Sequence, residues 1–265
     1  MTEPVAQEQL TVQTPQPPPA PRSRNGLYSL QSLAGTVVIA VFVITFIVQA
    51  FQIPSESMEK TLLIGDYLLV DKAHYGHSRL WGWLLPYRPI RREDIIVFRY
   101  PVNPHQHFVK RVVAVPGDHV RLIHKHVFVN GVRQNDAYAT FNWSWSDRFR
   151  DEFPELGARG EKNSPTGKWL RQVQQLLDDD DVLVVPQGSY FVLGDNRDDS
   201  YDSRYWGFVP QENVVGRPLV IYWSMDRGDS VLSGGLPSGK LSSLTLNVSQ
   251  LLNSLRWHRM LRIPQ

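Results

Sequence analysis

The chain has 265 residues, enough for one substantial globular domain with attachments, and carries a formal charge of only +2. So even a balance implies no broad nucleic-acid-binding surface, and nucleic acid is not an expected partner. The absence of cysteine removes disulfides, thiol catalysis and cysteine metal sites, without fixing the compartment.

Residues 1–28 read as a Pro/Gln-rich tail. "QTPQPPPAPRSR" offers no apolar area to bury and predicts a flexible or polyproline-like cytoplasmic segment. From Asn25 to Ser55 there is no charged residue, and the centre, "LAGTVVIAVFVITFIVQAF", is almost wholly apolar. Residues 29–51 are therefore expected to be a single transmembrane anchor, since about 20 apolar residues cross a bilayer core. Arg22 and Arg24 precede the run and Glu56 is the first charge after it. The positive-inside rule then places the N-terminus in the cytoplasm and the rest outside. A cleaved signal peptide is the alternative, with Val48-Gln49-Ala50 as a small-x-small site, but the length of the run favours an anchor. A buried helix of a soluble protein is the third reading.

After the anchor, residues 52–133 and 182–226 read as two parts of one mainly β, antiparallel domain. Asp66–Lys72, Asp94–Tyr100, Phe108–Val115, Val182–Pro186, Ser189–Gly194 and Pro218–Met225 are β-branched or aromatic runs between turn residues. Asn130-Gly131 inside "HVFVNGVR" predicts a hairpin, and Pro116-Gly117-Asp118 a turn. Residues 134–181 are polar and irregular and read as a small mixed insertion, with one amphipathic helix in "KWLRQVQQLL". Residues 227–265 form a C-terminal tail. "LWGWLLPY", Leu80 to Tyr87, and Trp257 are aromatic enough to meet a lipid interface, with core packing an equal alternative.

Metal chemistry is not expected. His105/His107 and His124/His126 lack a third ligand at motif spacing, and Asp178 to Asp181 lacks the spaced ligand loop of a calcium site.

The chemistry-bearing residues lie in separated stretches. "PSESM", Pro54 to Met58, presents two serines just beyond the apolar run. A serine hydroxyl is a weak nucleophile until a base takes its proton, and a lysine serves if desolvation lowers its pKa. In "FVKRVVAVPGD", period-two alternation puts Phe108, Lys110, Val112 and Ala114 on one face. Lys110 is then either buried and inclined to stay neutral, or snorkelling from an edge strand. "GDNRDDSYDSRYWGFVP", Gly194 to Pro210, crowds carboxylates and arginines around Ser200 and Ser203. It is either a solvated, salt-bridged turn or a source of hydroxyls that orient a lysine.

Taken together, "PSESMEKTLLIGDYLLVDK", "REDIIVF", "KRVVAVPGD" and "GDNRDDSYDSRYWGFVP" resemble the ordered boxes of the type I signal peptidases (leader peptidases), from about Phe51 to Arg217. The resemblance implies a membrane-anchored serine–lysine endopeptidase that removes signal peptides from exported preproteins after A-x-A-like sites, in a bacterial-type cytoplasmic membrane. It implies no cofactor and no metal; its partners are signal peptides and membrane lipid. By position, Ser57 matches the nucleophile and Lys110 the general base. Ser55 matches the side-chain oxyanion donor beside the Ser57 N–H, and Ser200 the hydroxyl that orients the lysine. Arg111, Asp195, Asp202 and Arg204 match the charged residues that brace the site. Phe51, Ile53, Met58, Leu62, Phe108 and Val109 match the lining of the substrate pockets. Lys60 departs from the pattern: the family usually has proline there, so the turn after Ser57 loses a rigid residue and gains a competing lysine.

The spacing independently favours work at a membrane surface. Ser57 comes so soon after Phe51 that even a fully extended chain keeps it within about 20 Å of the end of the span. Two rivals remain at this level. Ser57-Met58-Glu59-Lys60 fits the S-x-x-K motif of penicillin-recognising enzymes, yet no K-[ST]-G partner exists in the chain. The other is a non-catalytic anchored β module in which both serines are ordinary turn residues.

Overall fold

A computed structural model describes residues 25–75, 88–155, 161, 163–226 and 254–264. The aromatic stretch Leu80–Tyr87, open between interface and core, lies outside the described residues, as do most of the N-terminal tail and much of the C-terminal one.

The chain divides into two compact units, Met1–Val41 and Phe42–Gln265. The first is described by its helix, α1 (Asn25–Phe42). Leu33, Val38 and Ile39 on it are exposed. The window Tyr28–Thr45 has a mean hydropathy of 1.8 and is long enough to cross a membrane. So much unburied apolar surface is costly in water and favourable in lipid.

The apolar run expected to be one span to Phe51 is subdivided. A π-helical turn, Val43–Ile47, comes directly after α1, and strand β1 occupies Val48–Gln52. Gln49 and Gln52 break the apolar pattern here. Pairing β1 with β2 (Asp66–Asp71), Val48 opposite Asp71 and Phe51 opposite Leu68, satisfies the backbone outside a helix.

Nine further strands complete the β structure: β3 (Ile95–Tyr100), β4 (Asn103–Ala114), β5 (His119–Ile123), β6 (His126–Val129), β7 (Val132–Arg133), β8 (Leu183–Val184), β9 (Ser189–Leu193), β10 (Val209–Pro210) and β11 (Val214–Ser224). They form a seven-stranded sheet, β1-β2-β11-β3-β4-β9-β10, and a four-stranded sheet, β7-β6-β5-β8. All named pairings are antiparallel. The β6–β7 hairpin turns at Asn130-Gly131, both with positive φ, as the sequence leads one to expect.

Strand β4 departs from simple alternation. A register shift against β9 falls between Val112 and Ala114. Phe108 and Val112 pack into one apolar cluster, while Val113 and Ala114 pack into another. The bulge, invisible to a period-two count, moves Ala114 off the face it was expected to share with Lys110.

Residues 134–181 are woven into the body rather than appended to it. They supply α2 (Arg148–Asp151) and α3 (Pro165–Val173), the latter starting and ending earlier than the sequence pattern implied. Ser164 caps α3 by accepting from the Gly167 N–H, and Pro165 occupies the first turn. Phe153, Trp169 and Val173 complete the cluster under β5, β6, β8 and β9. One short helix, α4 (Ser203–Trp206), lies in the charged stretch. At the C-terminus, Ile221 bridges Arg262, and buried Arg259 pairs with buried Asp66 at 2.6 Å.

Candidate active site

Ser57 sits in a short 3-10 turn, Glu56–Met58, which follows the end of β1 at Gln52 after a link, Ile53 to Ser55. Ser55, extended, precedes that turn. An N–H in the first turn of a helix has no intrahelical acceptor, so the Ser57 amide is available to another group. The two hydroxyls stand 3.3 Å apart, at the exposed rim.

Lys110 comes from the middle of β4, opposite Ile96 of β3. Its side chain is only 4% exposed, which selects the buried reading over the snorkelling one. Its Nζ lies 2.5 Å from Ser57 Oγ and 5.9 Å from the Phe108 ring centroid. Burial pushes its pKa down from 10.5 to about 8; Asp202 pulls it up and Arg204 pushes it further down.

The charged residues resolve into two separate forks. Arg111, next to Lys110, binds Asp195 through Nε and Nη2 at 2.8 and 2.7 Å. Arg204 binds Asp202 in the same bidentate manner, both contacts at 2.8 Å. All four side chains are buried. Burial alone would raise the Asp202 pKa, but the Arg204 charge and hydrogen bonds outweigh it and hold that carboxyl below its usual range. Each fork also binds a neighbouring segment. Asp195 accepts from Thr61 Oγ1 at 2.5 Å, and Asp202 accepts from the Gly194 N–H at 3.1 Å. Gly194 is required by closeness: a Cβ there would collide with Ser200 Oγ and the Ser57 carbonyl.

Ser200 is buried and its hydroxyl acts on the Asp202 carboxylate, helping to lower its pKa; among the described residues no hydrogen bond joins it to Lys110. Lys60 is turned away from the site. It adopts φ 81°, which a proline ring cannot reach, and its Nζ donates to the Ala137 carbonyl at 2.6 Å.

A cleft of about 420 Å³ opens beside Ser57 and Lys110, and Phe51, Ile53, Met58, Phe108 and Val109 line it. Leu62, the remaining expected lining residue, is instead fully buried with Ile53 and Met58 in the core cluster beneath. Gln52, Asp199 and Tyr201 also line the cleft and were not singled out for it from the sequence, and His107, weighed there only as half of a metal pair, lines it too. The His107 ring packs 5.3 Å from that of Phe51. The other His pair is engaged elsewhere: His124 contacts Glu152, and His126 contacts Asp136.

The residues that hold the Ser57 turn were also unmarked. The Asn196 N–H donates to the Ser57 carbonyl at 3.1 Å, and its side chain donates to Glu59 at 3.2 Å. Tyr138, from the expected insertion, lies under the Arg111 guanidinium, 4.0 Å from its ring centroid. The signal available for Asn196 and Thr61 was their place inside the family-like boxes; Tyr138 had none.

A desolvated amine against a serine hydroxyl, with donors at the rim and an apolar cleft alongside, is equipped for acyl transfer. Comparisons with known proteins point the same way. The family described as "Signal peptidase, peptidase S26" matches residues 27–223. Signal peptidase I of Buchnera aphidicola subsp. Acyrthosiphon pisum is 31% identical over 264 residues, covering 84% of each chain. Signal peptidase I of Aquifex aeolicus is 35% identical over 251 residues, covering 83% of this chain and 88% of the relative. A crystal structure of a signal peptidase I from Enterococcus faecalis is 34% identical, with a TM-score of 0.36, over 49% of this chain and 97% of that one.

Proposed function

Since this chain belongs to the signal peptidase family, peptidase S26, and so removes signal peptides with a Ser–Lys dyad, we propose that Ser57 is its nucleophile and Lys110 its general base. The observation that carries this reading is the 2.5 Å approach of a buried lysine nitrogen to the Ser57 hydroxyl.

Neutral Lys110 takes the Ser57 proton as Oγ attacks the scissile carbonyl. The oxyanion that forms is held by the Ser57 N–H and the Ser55 hydroxyl. Lys110 then returns the proton to the leaving amine, and water, activated by the same lysine, releases the acyl group. The buried Ser200 hydroxyl orients Lys110 when the cleft is filled. Arg111–Asp195 and Arg204–Asp202 brace the lysine strand against the turn. The apolar cleft takes the small side chains of an A-x-A-like site. Residues 29–51 contain the membrane anchor, the N-terminus is cytoplasmic, and the β domain works outside a bacterial-type cytoplasmic membrane, against its lipid surface.

The experiment is incubation of the detergent-solubilised chain with a preprotein, and then mapping of the new N-terminus. Cleavage directly after an A-x-A-like site, lost in Ser57→Ala, is the expected result. Full turnover by Ser57→Ala would overturn the assignment of the nucleophile.

A further inference from the structure

A second cleft lies on the β domain, of about 330 Å³, lined by Arg88, Pro89, Arg91, Asp94 and Arg217. It brings three guanidinium groups together with one carboxylate. Asp94 is fully engaged: it pairs with Arg217 at 2.8 Å and accepts from the Arg91 N–H at 2.8 Å. Arg88 and Arg91 are exposed and have no ion pair among the described residues. The cleft therefore holds an uncompensated positive charge, in the planar fork geometry that suits a phosphate.

Its place in the sheet identifies the source of that phosphate. Val48 pairs with Asp71, and Asp71 pairs with Arg217, so these residues form one row across β1, β2 and β11. Two strand spacings put Arg217 about 10 Å from Val48. Lys72, next in the chain after Asp71, donates its Nζ to the carbonyl of Thr45, the last residue of the apolar window. The arginine cleft thus lies at the end of the sheet where the chain leaves its apolar segment. In a membrane-anchored protein that is the depth of the headgroups, where each nearby Lys or Arg adds about 1 kcal/mol of attraction to anionic lipid.

We infer that Arg88, Arg91 and Arg217 form a binding site for the phosphate of an anionic lipid headgroup, separate from the peptide cleft. The inference rests on the anchored reading above but not on the identity of the catalytic residues. Lipid bound here ties this face of the β domain to the membrane surface.

The test measures binding without catalysis. The full chain carrying Ser57→Ala, in neutral detergent, is titrated calorimetrically with dihexanoyl-phosphatidylglycerol, dihexanoyl-phosphatidylcholine and inorganic phosphate. The expected result is saturable binding of the glycerol lipid, weakened roughly 25-fold by the pair Arg88→Gln and Arg91→Gln, with the choline lipid much weaker. Arg217 is left intact because its loss would strand Asp94. Inorganic phosphate binding as tightly as the glycerol lipid would reassign the cleft to free phosphate and overturn the lipid inference. Equal affinities in the chain with and without the two glutamines would overturn the site itself. Both side chains are exposed, so the double variant, with Ser57 restored, is expected to cleave a short soluble peptide at the original rate. Loss of that cleavage would show damage to the fold and count against a separate site.

Discussion

The nucleophile turn and the charged stretch behind it are built on opposite principles. Pro54 to Lys60 is short and largely exposed, and its ordered geometry comes from a few hydrogen bonds supplied by other segments. Asp195 to Arg204 is almost wholly buried, and its buried charges are paired: Asp195 and Asp202 in bidentate forks, Arg197 with Asp136 and Asp198 with Lys125. The exposed turn keeps its reactive groups open to a peptide. The buried stretch helps to keep water from Lys110; its carboxylates Asp202, Asp195 and Asp199 pull the lysine pKa up and Arg204 pushes it down, with burial the largest effect. Chemistry is therefore expected to be sensitive to substitutions in the first region, and folding to substitutions in the second.

The sharpest way to break this contrast is at Lys110, which lies on β4 and meets both, touching Ser57 and sensing the charges of Asp202 and Arg204. Lys110→Arg and Lys110→Met are both expected to lose about 10²–10⁴ in turnover of a soluble peptide, because neither side chain accepts a proton at working pH. Lys110→Met should also melt at a higher temperature, since it removes a charge that burial penalises. An active Lys110→Arg enzyme would exclude the lysine as base. In the buried region, Asp195→Ala leaves Arg111 charged and without its carboxylate, for an expected loss of about 3–5 kcal/mol in denaturant unfolding. A loss below about 1 kcal/mol would mean that the fork is not structural. In the exposed region, Ser55→Ala should reduce kcat about 10²–10³-fold while the unfolding midpoint stays in place, because one of two oxyanion donors is removed. An unchanged kcat would take Ser55 out of the site.

The pH profile links the two regions. With Lys110 held at about 8 by burial, activity should rise about tenfold per unit toward pH 8 and then level off. An acid limb that disappears on replacing the histidines would implicate a histidine instead. Stability should track the same group. Its folded pKa lies below the ordinary 10.5, so between about pH 8 and 10.5 the unfolded chain binds more protons. Stability from this group therefore rises with pH through that window, and Lys110→Met should flatten the rise. The smallest effect is expected at Lys60. Its amine is occupied by the Ala137 carbonyl, so Lys60→Ala should keep peptide turnover within a few-fold. Lys60→Pro should be worse than Lys60→Ala in a melting experiment, because φ 81° excludes a proline ring. The reverse order would mean that the turn relaxes freely.

Local composition and periodicity were enough to mark the apolar segment and the mainly β character of the domain beyond it; that the serine, lysine and charged stretches meet was implied only by the resemblance to the type I signal peptidases. An uncharged apolar run, β-branched runs between turn residues and Asn-Gly at a hairpin are all signals carried by near neighbours in the chain. Tertiary contacts settled the rest. They ended the helix at Phe42 and gave Val48–Gln52 to the sheet, because β2 offered those residues a hydrogen-bonding partner. They put Leu62 under the cleft and Gln52, His107 and Tyr201 in its wall. They split one acidic and basic stretch into two forks, and drew Tyr138 and Ala137 from an apparent insertion into the support of the site. Burial was the quantity missing from the sequence. Whether Lys110 is an edge lysine in water or a base near pH 8 depends on how many atoms from distant segments exclude water from it, and that is set by packing.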